Sequence, residues 1–298
     1  VVRAEQNFFN LMACPGYVEV LEDMVNMNVD KDYVFFVIGD TPIGLPPDGT
    51  SVQNWATNAA DVAGDGPAGL TTANPYVGLW YPWVLTTNLD GTEVLVPPST
   101  SILQVMAYND QVAYPWFAPA GFNRGVLTNA NSVGYLLNGH YQPVILNQGE
   151  RDVLYVNNIN PIAYFPNRGI VVFGQKTLNS ISTSALSRVN VARLINYLAY
   201  NLNLLALPFL FEQNDAITRA TVVNVFNGFM GTLISSRALY DFAVVCDLSN
   251  NSPTTIDENK LFIDVAIQPE ISIEFIYIPI LIYATDAPNF PSGSSSTS

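Results

Sequence analysis

The sequence predicts an α/β (α+β) protein in which a carboxy-terminal domain, two long helices packed on a mixed sheet, follows an α/β domain. Three observations predict it. Strand-like, helix-like and strand-like segments open the chain between Phe8 and Ile38, the order that begins α/β folds. Two long stretches with apolar residues at helical spacing occupy positions 185–236. The stretch from Leu239 to Tyr283 then reads as three extended segments broken by turn formers.

Phe8 to Cys14 reads as a strand, stopped by Pro15-Gly16. Val18, Leu21 and Val25 give Val18–Met27 a helical stripe, and Glu19, Glu22 and Asp23 fall in its first turns, where the helix dipole favours acids. Tyr33–Ile38 is apolar throughout, as a buried strand is, and Gly39-Asp40 follows. Thr41–Gly78 reads as loop, with Pro46-Pro47-Asp48-Gly49 and a Gly/Ala/Pro stretch from Ala63 to Gly69. Tyr76–Thr86 is aromatic and strand-like, and Pro97-Pro98-Ser99 starts a helix over Thr100–Tyr108. From Gly121 to Gln148 the chain is rich in Asn and Gly, predicting turns rather than long elements.

The first long helix is predicted over Ala185–Ala206, with Val191, Leu194, Ile195, Leu198, Leu202 and Leu205 on one side and Pro208 beyond its end. The second follows Asn214-Asp215, both good N-cap types. It runs over Ala216–Ser236 with Val222, Val225, Phe226, Phe229, Met230, Leu233 and Ile234 as its stripe. Asp241–Cys246 and Leu261–Ile267 read as strands around the turn formers Ser249–Pro253, the second stopped by Pro269. Ile271–Tyr283 alternates, with Ile271, Ile273, Phe275 and Tyr277 on one face and Ser272, Glu274, Ile276 and Ile278 on the other. Its second half, including Ile280 and Ile282, is apolar on both faces. A closing strand that apolar, carrying Pro279, expects a neighbour outside its own domain. The divisions expected are 1–150, 151–291 and a disordered tail at 292–298.

Hydrophobic residues make up 49% of the 298 and charged ones only 12%, about half the usual charged share. So few charges imply large cores or much surface hidden against partners. A net charge of −14 argues against nucleic-acid binding, which clusters Lys and Arg on one face. Cys14 and Cys246 stand far apart in apolar settings, as buried free thiols do in a reducing compartment. No signal peptide is evident at Val1, and no initiator Met stands there. The longest apolar run, Phe275–Ala284, is short of the ~20 residues that span a bilayer.

No catalytic, cofactor or metal constellation emerges. Gly64-Asp-Gly-Pro-Ala-Gly69 has the letters of a dinucleotide fingerprint but no strand before it, and Asp65 would repel a pyrophosphate. Gly169–Thr177 has a phosphate-loop outline, yet its Ile-Val-Val-Phe centre is a strand with engaged amides. His140 is the only histidine, so it reads as a loop residue without a catalytic or zinc-binding role. Asp241, Asp247, Asp257, Glu258 and Asp264 lack the spacing of a calcium loop and read as solvated carboxylates. Trp80-Tyr-Pro-Trp83 and Tyr114-Pro-Trp116-Phe117 read as core or inter-domain packing, with a sugar platform as the competing role. Arg124 and Arg193 are scarce cations, either paired with carboxylates inside the fold or bracing domains or subunits.

An ordered string of motifs carries a resemblance. Asn250 and Asn251 belong to Tyr-Asp-Phe-Ala-Val-Val-Cys-Asp247 and its Asn-Asn-Ser-Pro sequel. Upstream stand Ala118-Pro-Ala120-Gly121-Phe-Asn-Arg124-Gly125, Arg151–Tyr155, Asn158-x-Asn160, Gly174-Gln-Lys-Thr177, Val189–Leu194 with Arg193, Phe211-Glu-x-Asn214 and Thr218-Arg219. Together, over Ala118–Tyr283, they resemble the carboxy-terminal region of the contractile tail sheath proteins of bacteriophages.

That resemblance implies a structural subunit, not an enzyme, without cofactor, in a virion assembled in the host cytoplasm. Subunits would form stacked hexameric rings around the tail tube protein, bounded by baseplate and tail terminator proteins. Contraction would drive the tube through the bacterial envelope, with no direct nucleic-acid contact and no membrane insertion. The sheet would be completed by neighbouring subunits through Ile271, Ile273, Phe275, Tyr277, Ile278, Ile280 and Ile282. Residues 151–291 would be the tube-proximal domain, and the family's amino-terminal arm is not recognisable ahead of Val1. The sheath of a phage-derived injection particle (an R-type bacteriocin or a type VI-like secretion sheath) is the alternative with the same physics.

Overall fold

The computed structural model describes residues 8–274 and Ile276. Its first lobe is built on a five-stranded sheet in the order β1-β2-β3-β8-β9. Strands β1 (Leu11–Ala13), β2 (Phe36–Asp40), β3 (Val77–Tyr81) and β8 (Ile159–Phe165) are parallel neighbours, and β9 (Gly169–Val172) returns antiparallel to β8. A second, antiparallel sheet in the order β5-β4-β6-β7 is formed by β4 (Trp83–Thr87), β5 (Glu93–Val96), β6 (Ala130–Leu137) and β7 (His140–Pro143). Only Pro82 separates β3 from β4, and with no N–H to pair it marks the change of sheet.

Every residue of β2 and β3 is buried, as parallel strands covered on both faces require. On one face Val37, Leu79, Ile159 and Ala163 meet α1 (Leu21–Asp30), α2 (Gly49–Ala56) and α5 (Gln148–Val156) through Leu21, Met24, Val52, Trp55 and Leu154. On the other, Phe36, Ile38, Trp80 and Ile162 meet α3 (Pro98–Val112) and the second sheet through Ile102, Met106, Val84 and Val133. The short helix α4 (Gly121–Arg124) lies against β9.

The second lobe consists of α6 (Val189–Ala206), α7 (Ala216–Ser235), β10 (Leu239–Val245), the short α8 (Pro253–Asp257) and β11 (Asp264–Pro269). Asp215 caps α7 by accepting from the Thr218 amide. Strands β10 and β11 pair antiparallel, with Phe242 opposite Ile267 and Val244 opposite Val265. Their inner side chains join Leu194, Leu198, Phe226, Met230 and Leu233 of the two helices. Among the described residues this sheet is a two-stranded antiparallel ribbon; the mixed pairing lies in the first lobe. The first α6 turn, Val189 and Ala192, reaches the core of the first lobe, so one helix serves both.

Several sequence readings are corrected. Thr41–Gly78 contains α2, which Asp48 caps through the Ser51 amide and which buries Val52 and Trp55. Gly121–Gln148 contains the β6–β7 hairpin, turned at Asn138 and Gly139 with φ of +50° and +79°, the left-handed pair a tight hairpin needs. His140 opens β7 instead of lying in a loop. The predicted second strand of the closing region begins at Asp264 rather than Leu261. A division at residue 150 runs through the first sheet, because β8 and β9 complete it. Residues Ile271–Glu274 continue from β11 outside any ladder, and Phe275, Tyr277, Ile278, Ile280 and Ile282 lie outside the described residues.

Asp40, at the end of β2, joins three elements. Its carboxylate accepts from the Ser99 amide at 2.6 Å, the Ser99 hydroxyl at 2.7 Å and the Gly16 amide at 2.8 Å. It thereby caps α3, whose own N-cap Pro97 offers no side-chain acceptor. Burial holds this carboxyl above its usual range, and the three donors offset that only in part. Asp40→Ala leaves those donors unpaired and should cost ~2–4 kcal/mol of stability, read as a lower midpoint in thermal unfolding; an unchanged midpoint would refute the capping role.

Candidate functional site

The motif Ala118–Gly125 forms a tight loop beside β9. Arg124 turns back on it, donating Nε to the Ala118 carbonyl at 3.2 Å and lying 5.2 Å from the Phe117 ring centroid. It has no carboxylate partner among the described residues, because the loop's own carbonyl and ring occupy the guanidinium. The Gly125 carbonyl accepts from the Val172 amide at 2.8 Å, and the Leu127 amide donates to Ile170. A Cβ at Gly125 would stand 2.8 Å from Ala120 Cα, the Gly121 nitrogen and the Val172 oxygen, all backbone. Gly121 has φ of +80°, a conformation that glycine adopts without strain. Ala120 and both glycines thus serve the backbone path.

Asn160 holds the next layer. Buried in β8, it donates to the carbonyls of Leu79 (3.0 Å) and Lys176 (2.8 Å) and accepts from the Lys176 amide (2.6 Å). This ties β3, β8 and the Gly174–Thr177 loop together. Lys176 Nζ donates to the Tyr155 carbonyl at 2.6 Å, 4.5 Å from that ring's centroid. Burial first, and then Arg188, lower its pKa. The Gln175 carbonyl accepts from the Val189 amide at 2.7 Å, fastening the start of α6.

Onto this layer comes the segment that leaves β11. Glu274 Oε1 meets Arg188 Nε at 2.5 Å and accepts from Gln175 Nε2 at 3.2 Å; Oε2 accepts from the Tyr155 hydroxyl at 2.9 Å. Burial, reinforced by Glu274, raises the Tyr155 pKa and keeps that hydroxyl a donor. The result is a clasp between residues 99 and 119 positions apart. Beside it lies a cleft of about 330 Å³ lined by Ala118, Ala120, Gly121, Arg151, Phe173 and Ile273 among others. Ile271 and Ile273 are 80% and 83% exposed.

The remaining motif residues are internal ties. Arg193 is buried and donates Nη2 to Asp110 at 2.5 Å, joining α6 to α3. Asp247 and Asn250 close the turn after β10, with Asn250 Oδ1 accepting from the Asp247 amide and its Nδ2 donating to the Val245 carbonyl. Asn251, fully buried, pairs both ways with the Phe262 backbone at 2.7 and 2.9 Å. Asp65 accepts from the amides and hydroxyls of Thr71 and Thr72 inside a loop. Trp80 and Trp83 are buried, which rules them out as an exposed sugar platform. Among the described residues no group of three His, Cys, Asp or Glu could hold a metal ion.

Sequence reasoning passed over the clasp. Its one signal was Glu274 itself, a lone acid in the otherwise uncharged run Ile271–Tyr283. Arg188 and Gln175 carried none, being far away in the chain.

The arrangement fastens chain segments together. Residues 182–282 match the phage tail sheath C-terminal domain family. Over that span the chain is similar to a phage tail sheath C-terminal domain. The tail sheath protein of Vibrio phage KVP40 is 36% identical over 192 residues, 64% of this chain and 27% of the relative. That of Enterobacteria phage T4 is 33% identical over 192 residues, 64% of this chain and 28% of the relative. The chain therefore spans a little over a quarter of these curated relatives.

The fold extends beyond the sheath domain. The contracted helical sheath of the anti-feeding prophage superposes with a TM-score of 0.68 at 22% identity, over 93% of this chain and 70% of that one. The contracted PVC sheath complex of an extracellular contractile injection system gives 0.70 at 20% identity, over 95% and 72%.

Two outcomes test the site. Gly125→Ala should lower stability by ~1–3 kcal/mol, the cost of forcing a methyl into packed backbone, read as a lower unfolding midpoint; a neutral substitution would show the loop has slack. Glu274→Ala should free the segment after β11, raising its cleavage rate in limited proteolysis by about tenfold or more, with the first lobe still protected. Equal cleavage would mean the clasp does not hold it.

Proposed function

We propose that this protein is a structural subunit of a contractile tail sheath. It polymerises around a tail tube and contracts to drive the tube through a bacterial envelope for genome delivery. The observation that carries this reading is the match of residues 182–282 to the tail sheath C-terminal domain, supported by a sheath-like fold over most of the chain. Its partners are further copies in stacked hexameric rings, the tail tube protein, and baseplate and tail terminator proteins. It acts in the virion after assembly in the host cytoplasm and catalyses no reaction. Among the described residues no helix is long and apolar enough to cross a membrane.

Subunits join, in this reading, by adding the segment after Glu274 to a neighbour's sheet. The exposure of Ile271, Ile273 and Ile276, at 80%, 83% and 78%, supports it, since such side chains gain by burial. Main-chain pairing would supply affinity and the side chains register. Contraction requires two interface arrangements, the shortened one lower in free energy, and no nucleotide. A phage-derived injection particle is the second reading, favoured by the likeness to the anti-feeding prophage and PVC sheaths.

Electron microscopy of the concentrated protein should show rings or striated cylinders, and truncation after Gln268 should abolish them. Persistent monomers of the intact chain would count against the sheath reading, and cylinders from the truncated one against strand addition.

A further inference from the structure

At the β9 edge of the first sheet, three phenylalanines form an exposed shelf with two arginines on it. Phe122 and Phe173 are 42% and 41% exposed. Their ring centroids lie 5.2 and 4.8 Å from that of Phe165. The Arg151 guanidinium sits 5.2 Å from the Phe165 centroid and that of Arg168 sits 5.4 Å from Phe122. Rings hold both cations in place without neutralising them. The chain has 11 Lys and Arg against 25 Asp and Glu. Yet neither arginine pairs with a carboxylate among the described residues. The exposed Asp152, in the adjoining cleft wall, leaves them unpaired.

Opposite charge lies farther along the same sheet, on the face that α1 and α5 cover. Strand β2, which α1 covers, lies three places from β9 in the sheet order, roughly 14 Å at the usual strand spacing. The helix α1 follows β1 and packs on β2. Glu19, just ahead of it, and Glu22 and Asp23 within it are all exposed beside the exposed ring of Tyr17. None of the three acids has an ion-pair partner among the described residues. Complementary patches set apart on one subunit can pair between copies, and such a heterologous contact generates closed rings or open helices.

We propose that the Arg151–Arg168 shelf of one copy receives the acidic face around α1, Glu19, Glu22 and Asp23, of the next. This rests on the self-assembly reading above and adds to it a lateral interface that borders the cleft where Ile273 and Glu274 lie. A free nucleic-acid strand is disfavoured as occupant by the net charge of −14.

The test is a charge exchange read by sedimentation velocity and electron microscopy, with unfolding midpoints as a control. In one variant, Arg151→Glu and Arg168→Glu give the shelf negative charge; in another, Glu22→Lys and Asp23→Lys give α1 positive charge. Each alone should raise the concentration needed for assembly by about tenfold or more. A mixture of the two should assemble again, because alternating copies present matched faces, and so should the chain carrying all four changes. Should Arg151→Glu disturb folding through its packing, Arg168→Glu with Asp23→Lys repeats the exchange at exposed positions. Unchanged assembly of the single-patch variants overturns the proposal. Loss of assembly that neither the mixture nor the combined chain restores also overturns it and assigns the shelf to another acidic partner. Failure of the unaltered protein to assemble would instead refute the sheath reading.

Discussion

Strands β2, β3 and β8 bury both faces, turning Val37, Leu79 and Ala163 to one core and Phe36, Ile38, Trp80 and Ile162 to the other. A sheet with no side toward water must be covered twice, and the rest of the molecule follows from how the chain does it. Three helices serve one face. The other is covered by α3, the second sheet and the first turn of α6. Because α6 continues into the core with α7 and the β10–β11 ribbon, the second lobe is attached by the same covering that completes the first.

The attachment is polar where the two lobes meet. Asn109, Asp110, Asn190, Arg193 and Asn196 are gathered along α3 and α6, with Arg193 bound to Asp110 and the Asn196 amide to the Tyr33 carbonyl. Directional bonds of this kind define a relative orientation more sharply than apolar contact does. The clasp at Glu274 adds a second tie, from the end of the described chain back to Tyr155, Gln175 and Arg188. The closing segment is thereby tied to the first lobe at a second place.

Much of the fold was legible because its signals are local. The stripe on α7 and the Asp215 cap follow from a period and one residue type. The Asn138-Gly139 turn was equally legible, but the surrounding Asn and Gly residues hid the strands it joins. The helix α2 escaped for a similar reason: eight residues between proline- and glycine-rich loops offer a period too short to stand out. The motif string did not tell which of its residues are ties and which line the cleft. Arg124 shows the difficulty, since a carbonyl and a ring satisfied it where a carboxylate was one of the expectations.

By itself the sequence determined the kinds of element, their order, and the kinship of the carboxy-terminal third with phage tail sheaths, all properties of neighbouring residues or of ordered motifs. Only the tertiary structure decided that Asp40 caps a helix 59 residues away, that Asn160 locks three segments, and that Glu274 is seated by Arg188. It also set the acidic face of α1, over β2, apart from the arginine shelf at β8 and β9. The physical reason is that a hydrogen bond or an ion pair depends on distance in space, and the strand order that sets those distances leaves no periodic trace in the chain.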